Sequence, residues 1–475
     1  MAGRRRAGVA VTVAAALLLG VIGYAAADVY DLAPGPLTVA TPAPDPPSFP
    51  TAPGAEGPDA GALAADVPSP VGTDAPVPDP AVLRSLMAPL LADAALGDSV
   101  SASVVDALTG EVLLDSAAAT PREPASVAKL LTAAAALHRL GPDHTVDTHA
   151  VRGVAPDEVV LLAGGDVLLA AGAGDAAAAN GRAGLADLAA QTAEALAAEG
   201  TTTVTVRVDD SLFTGPRMGP GWTRADVAAG FVAPVTAIAV NAGRTTDERY
   251  APRVADPALA AASVFASLLT ERGITVVGEV VRGIAPPDPL VLGTITSAPL
   301  ADVIGYMLAT SDNNVAEALA RLVAADAGRP TAFADAARAV LDEVAMLGAD
   351  TTGATLADGS GLADGSLLPA SLLTQVLTLA ASPDHPELRP LLTGLPVAAL
   401  SGTLSQRFAE DPAAAGLVRA KTGSLSGVTS LAGTVADVDG RLLAFAVLAD
   451  AVPATDPARE AADTVAATLV ACGCR

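Results

Sequence analysis

The sequence predicts an α+β protein: an antiparallel sheet covered by helices, interrupted by a smaller inserted α/β domain. Three observations predict it. Hairpin patterns stand near both ends of the chain, helical runs lie between them, and the stretch from 147 to 286 has strand-like segments of its own. At 475 residues, 51% of them hydrophobic, the chain is long enough for two domains or more, each with a core.

In chain order, Arg4, Arg5 and Arg6 precede an uncharged stretch from Ala7 to Ala27 that ends in three alanines before Asp28. A basic region followed by an apolar run is an export signal, and this run is also long enough to cross a bilayer core of roughly 30 Å. Residues 1–30 therefore read as a cleaved signal peptide or an uncleaved membrane anchor. Either one sends the rest of the chain outside the cytoplasm. Between Pro34 and Pro80 stand 14 prolines and six acidic residues with no Lys or Arg, so residues 31–80 should form an extended, disordered linker.

The main domain should comprise residues 81–146 and 287–475. It opens with the helical run "AVLRSLMAPLLADAAL" and a hairpin, "SVSASVVDALTGEVLLD", that turns at Thr109-Gly110. A second Ala/Leu-rich helix stops at Gly141-Pro142. Near the C-terminus "GVTSLAGTVADVDGRLLAFAVLAD" turns at Asp439-Gly440, and an Ala/Val-rich helix closes the chain. The inserted region, 147–286, offers "DEVVLLAG", "TTVTVRVDDSLF" and "TVVGEVV" as strands, with a helix from about Pro257 to Arg272. Its tract "AAGAGDAAAANGRAG" lacks the full spacing of a dinucleotide loop.

Composition excludes several functions. A formal charge of −25 repels phosphates, which argues against a nucleic-acid partner. His138, His144, His149 and His385 show no metal-ligand spacing and no Ser-His-Asp pattern, and no cofactor is expected. Cys472 and Cys474 form a poor metal site and read as a local disulfide or two surface thiols.

The chemistry starts at "PREPASVAKLLTAAAALHRLG". Ser126 and Lys129 are three apart on a helix and share a face, with Cβ atoms about 5–6 Å apart. Alone, the pair reads as a helix start with a solvent lysine. Two further stretches change that. "ATSDNNVAEALARL" holds Ser311 and Asn313, with Asn314 and Glu317 at N-cap and N3 spacing, and "VRAKTGSLSGVTSLAG" holds Lys421, Thr422 and Gly423. A serine nucleophile needs a base, and a lysine is a base only when its pKa falls from about 10.4 by roughly three units. Burial or a nearby cation can supply that, and Lys421 is the available cation. Ser311 can relay a proton to a leaving amine, and the Asn313 amide can hold both the lysine and a substrate amide. Gly423 leaves room for an extended peptide along a strand edge. The backbone N–H groups of Ser126 and Ser424 are the natural oxyanion donors.

Ser-x-x-Lys, Ser-x-Asn and Lys-Thr-Gly, in that order, resemble the penicillin-recognising serine enzymes. The long interval from Ser126 to Ser311 places a domain between the first two motifs, as in the low-molecular-mass class C penicillin-binding proteins, the D-alanyl-D-alanine carboxypeptidase/endopeptidases of peptidase family S13. "LLAGGDVLL", "VRVDDSLFTGP", "GPGWTRADVAAGFVAPVTAIAVN", "SAPLADVIGYMLATSDNNVAEAL", "LADGSGL" and "SGTLSQRF" match as well, so the resemblance covers residues 85–475. It implies a serine β-lactamase/transpeptidase-like fold, peptidoglycan stem peptides as substrates, and acylation by β-lactam antibiotics. It implies Ser126 as nucleophile, Lys129 as base, and Ser311 and Asn313 as relay and clamp. Lys421 and Thr422 would bind the substrate carboxylate. Asp226 would meet the amine of the stem's diamino acid, or equally cap the next helix. Two departures stand out. Asp364 occupies a place where the family pattern has a basic residue, and the inserted region is short after Asn241.

Overall fold

The computed structural model describes Tyr24 and residues 74–474, apart from 409, 410 and 412. The signal or anchor segment and most of the proline-rich linker lie outside the described residues. Among the described residues no helix is long and apolar enough to cross a membrane. All elements below belong to the unit from Val71 onward.

Helix α1 (Pro80–Leu91) starts where the sequence places its first stop-and-start signal. Asp79 caps it, accepting from the N–H groups of Ala81 and Val82 at 2.7 and 3.1 Å, and Pro80 at the first helical position needs no partner. The Asp79 N–H donates to the Cys474 carbonyl, so the start of the folded chain is tied to its end. Cys472 and Cys474 form a disulfide and are both buried, not surface thiols.

The first hairpin is β1 (Val100–Asp106) and β2 (Val112–Ser116), and the second supplies β10 (Val428–Ala436) and β11 (Leu442–Ala449). With β9 (Val418–Leu425) they form an antiparallel sheet in the order β2-β1-β11-β10-β9. Helices cover both faces, so the three central strands β1, β11 and β10 are buried along nearly their whole length. Alternation still sorts their side chains. Leu443, Phe445 and Val447 join one core with α1 and the closing helix α11 (Thr455–Ala471). Ala444, Ala446 and Leu448 join the other, against α2 (Lys129–Leu140), α7 (Asn313–Asp326), α8 (Phe333–Met346) and α9 (Ala370–Ala381). Every residue of α2 from Lys129 to Leu137 is buried. A helix apolar all round belongs inside, and its alanines let neighbouring elements approach closely.

The second sheet holds β3 (Asp147–Arg152), β4 (Glu158–Leu162), β5 (Thr203–Asp209), β6 (Thr275–Val276), β7 (Val281–Arg282) and β8 (Val291–Thr296). Its order is β6-β5-β4-β3-β8, with β7 also on β5. Pairs β4–β5, β5–β6 and β5–β7 are parallel, the rest antiparallel. Helices α3 (Leu185–Ala198) and α5 (Pro257–Glu271) pack on it. Strand β8 lies past residue 286, so this sheet draws its outer strand from the chain beyond the expected limit of the insertion. Between Asn241 and Asp256 the structure has one 3₁₀ turn and an isolated bridge, Arg244 to Arg253.

Candidate active site

Ser126 sits in a 3₁₀ turn (Ala125–Ala128) that runs into α2. Ala125 before it has φ +48°, a left-handed conformation that an alanine adopts at a cost of about 1 kcal/mol. Gly361, itself at φ +72°, packs on that residue so tightly that a Cβ there would stand 2.0 Å from the Ala125 carbonyl oxygen. On the other side a Cβ at Gly423 would meet Ser430 Oγ at 2.0 Å and the Pro124 carbonyl at 2.6 Å. Gly423 is therefore small because β9 presses against the turn that carries Ser126. Its missing side chain opens no space in the cleft.

Lys129 is fully buried, not in solvent. Its Nζ lies 3.0 Å from Ser126 Oγ, 2.6 Å from Asn313 Oδ1 and 2.8 Å from the Ser360 carbonyl. The last two are pure acceptors. A neutral amine gives both its N–H groups to them and turns its lone pair to the serine hydroxyl. Burial, opposed by Asp358, Glu317 and Asp312 and aided by Arg249, brings the Lys129 pKa down to about 8.

Ser311 closes helix α6 (Leu300–Thr310) in a left-handed conformation, φ +59°. Its Oγ accepts from Lys421 Nζ at 2.9 Å, and that Nζ also donates to the Thr422 carbonyl at 2.8 Å. Lys421 is fully buried. Expected to be the cation that depresses Lys129, it is itself driven well below the ordinary lysine value by burial, then by Lys129, Arg249 and Arg407. Asn313 spends one N–H on the Phe231 carbonyl at 2.9 Å and keeps the other.

The helix start after Ser311 is capped by Asp312, which accepts from the Val315 N–H, and not by Asn314 with Glu317. Those two face inward: Asn314 bridges the N–H and C=O of Ala233, and Glu317 accepts from the Gly359 N–H. Asp312 pairs with Arg244 at 2.5 Å and Arg253 at 3.4 Å. Burial raises its pKa, but the two guanidiniums and the Val315 N–H outweigh that and hold it below the usual carboxylate value.

Ser126, Ser311, Asn313, Thr422, Ser424 and Asp226 line one cleft of about 1710 Å³, while Lys129 and Lys421 stand behind its wall. On β9 the Val418 carbonyl and Ala420 N–H meet Ala398 and Pro396 on the outer edge. Alternation puts the Ser424 N–H on that same edge. The Ser126 N–H belongs to a first helical turn and has no intrahelical acceptor. Asp226 takes part in a capping box with Thr223 around the short helix α4 (Arg224–Ala228), its Oδ2 accepting the Thr223 N–H at 2.7 Å. It caps its own helix, and it also lines the cleft. Past Ser424 the cleft continues along α11 to Arg459, whose Nε donates to Ser424 Oγ at 3.2 Å, and past Thr403, which accepts from Thr422 Oγ1 at 2.9 Å. Ser360, Arg249, Thr403 and Arg459 carry no motif of their own. The run "LADGSGL" pointed toward Ser360 and "SGTLSQRF" toward Thr403, while Arg249 and Arg459 stand in no quoted run.

A sequence profile described as the D-Ala-D-Ala carboxypeptidase 3 (S13) family matches residues 83–253 and 246–470. Carboxypeptidase DacB of Mycolicibacterium smegmatis is 40% identical over 413 residues, which cover 85% of this chain and 87% of that one. D-alanyl-D-alanine carboxypeptidase of Actinomadura sp. is 30% identical over 455 residues, 77% of this chain and 80% of that one. Among solved structures, penicillin binding protein 4 from Haemophilus influenzae has a TM-score of 0.66 at 22% identity, over 82% of this chain and 98% of that one. The likeness to the last is one of fold, and it gives the architecture its class: α+β, of the penicillin-binding type.

Proposed function

The chain belongs to the D-Ala-D-Ala carboxypeptidase 3 (S13) family, and from that premise we propose how its cleft cuts D-Ala-D-Ala peptides through an acyl-enzyme. It is a serine-type D-Ala-D-Ala carboxypeptidase, a hydrolase. Ser126 Oγ attacks the carbonyl of the penultimate D-Ala, and its proton passes to Lys129 Nζ. The new oxyanion takes the N–H groups of Ser126 and Ser424, one of which is typically worth about 10²–10³ in rate. Ser311, held in place by Lys421 Nζ, relays the proton taken up by Lys129 to the leaving amine, so both lysines return to their starting charge. Water then opens the ester, releasing the shortened stem peptide and restoring Ser126.

The observation that carries this reading is the contact of Lys129 with Ser126, with two obligate acceptors fixing the other positions of the amine. Thr422 and Ser424 hold the substrate carboxylate directly, and Lys421 acts on it through them from behind the strand. Asp226 keeps an oxygen for the amine of the stem's diamino acid. Beyond Ser424 the cleft has room for a leaving group longer than one D-Ala, which favours endopeptidase cleavage of cross-links as a second activity. β-Lactams acylate the same serine. The basic start and apolar run at residues 4–27 support work outside the cytoplasm, where peptidoglycan would be the substrate. The test is a labelled penicillin on the chain from Ala81. A stable covalent adduct is expected, absent in Ser126→Ala. Rapid turnover of the antibiotic would point to a β-lactamase instead, and no adduct would remove the serine from the chemistry.

A further inference from the structure

Two carboxyl groups lie beneath Lys129, and the reaction as written uses neither. Glu317 on α7 and Asp358 at the start of "DGSGL" are both 0% exposed. No cation comes within ion-pair distance of either among the described residues. Arg321, one turn on from Glu317, turns its terminal N–H groups to the Thr214 and Pro216 carbonyls, leaves its Nε without a partner and lies over the Phe333 ring. Two neighbouring buried anions with no ion pair are untenable, so one must hold a proton.

The hydrogen bonds say which. Asp358 accepts three backbone N–H groups, from Ser360 at 3.1 Å, Gly361 at 2.6 Å and Ala363 at 2.7 Å, a cage suited to an anion. Glu317 accepts the Gly359 N–H at 3.1 Å through Oε2, while Oε1 is buried without a partner. A bare oxygen is tolerable on a neutral acid and costly on a carboxylate. The caged turn delivers the Ser360 carbonyl to Lys129 Nζ, and its Gly359 carbonyl accepts from Thr132 one turn along α2.

We propose that Glu317 and Asp358 hold one proton between them, on Glu317, and that this singly charged pair is a positioning element for Lys129. The neutral Glu317 anchors the turn from α7. The Asp358 anion faces the amine across it and stabilises the ammonium that forms when Ser126 gives up its proton. A doubly charged pair would instead pull the Lys129 pKa upward and keep more of the amine protonated near neutral pH. The other charged groups facing the amine are Asp312, Arg249 and Lys421, and Arg321 faces Glu317. Burial and Asp358 raise Glu317 to about 8 against the Ser360 hydroxyl and the Gly359 N–H, while burial also raises Asp358, opposed by the N–H groups of Ala363 and Gly361 and by Lys129.

The proposal rests on Lys129 as base, but its first test does not need activity. Infrared spectra near neutral pH should show the carbonyl stretch of a buried carboxylic acid that vanishes in Glu317→Gln; ¹³C-glutamate labelling assigns the band if that variant does not fold. Absence of any glutamic-acid band overturns the proposal. The second test follows penicillin acylation against pH. Glu317→Gln, neutral like the native group, should leave the acid limb in place, whereas an ionised Glu317 would make it fall by about a unit or more. Asp358→Asn should move the limb down by about a unit and slow the plateau, and a lower plateau with an unmoved limb would mark a merely structural aspartate. Should the wild-type chain take no penicillin, the functional reading fails while the infrared result still decides where the proton sits.

Discussion

Replacing Gly423 by alanine separates two accounts of the Lys-Thr-Gly segment. A Cβ there falls about 0.8 Å short of the 3.4 Å at which ordinary contact begins with the Pro124 carbonyl, and stands only 2.0 Å from Ser430 Oγ. The Ser430 hydroxyl can rotate, but it then gives up its 2.6 Å bond to that same carbonyl. Backbone two residues before Ser126 must therefore move. A shift of about 1 Å at a reacting group costs roughly 10²-fold in rate, and overpacking of this kind costs about 1–3 kcal/mol of stability. The assay is the second-order rate of acylation by a labelled penicillin, with denaturant unfolding alongside. A variant that acylates within about twofold of the parent and unfolds with it would refute the packing account. Intact penicillin acylation with lost stem-peptide hydrolysis would restore the view that the glycine makes room for substrate.

Three further outcomes are expected. Acylation should rise with pH and reach half its plateau near 8, because only neutral Lys129 accepts the serine proton, and Lys129→Arg should stay inert; a flat profile would exclude the lysine as base. Stability should fall with rising pH between about 4.5 and 8 through Glu317, whose folded-state pKa is raised so that its contribution is lost across that window; Lys129, with a lowered folded-state pKa, should return stability between about 8 and 10.5. Calorimetry across pH reads both signs. Asp312→Asn should cost about 3–5 kcal/mol, since it leaves Arg244 and Arg253 buried without their anion; a loss below about 1 kcal/mol by denaturant unfolding would show that the guanidiniums find other partners.

The fold was legible where turn residues and period agree. Gly110 and Gly440 both adopt positive φ at the hairpin turns, and Gly141 ends α2 as the sequence requires. The outer strand at Val291–Thr296 was not, because a six-residue strand paired across more than 140 residues of chain leaves no local mark. In the site, Ser126, Lys129, Ser311, Asn313 and Lys421 announce themselves through short spacings, and the structure brings them together. The helix cap was misread because Asp312, Asn314 and Glu317 all offer capping chemistry, and only tertiary burial decides that the first turns back while the other two face the core. Gly423 was read for the wrong neighbour: nothing in one sequence tells which face of a strand its missing side chain vacates. Carbonyl contacts such as that of Ser360 are invisible for a simpler reason, since every residue has one.

The charge balance around the two buried lysines favours the carboxylate-bearing substrate proposed above. Lys129 and Lys421 are both fully buried, and neither has a carboxylate within ion-pair distance among the described residues. Each proton placed on one raises the cost of a proton on the other. Under the proposed mechanism a peptide ending in D-Ala brings a carboxylate to Thr422 and Ser424, in front of Lys421. That anion favours a protonated Lys421, and a protonated Lys421 disfavours one on Lys129, which is the arrangement the first proton transfer needs. Under the proposed mechanism the substrate's own charge prepares the base. Capping that carboxyl as an amide should then lower the acylation rate constant as well as the affinity. A change confined to KM would mean that the carboxylate serves only to hold the peptide and that the two lysines settle their protons without it.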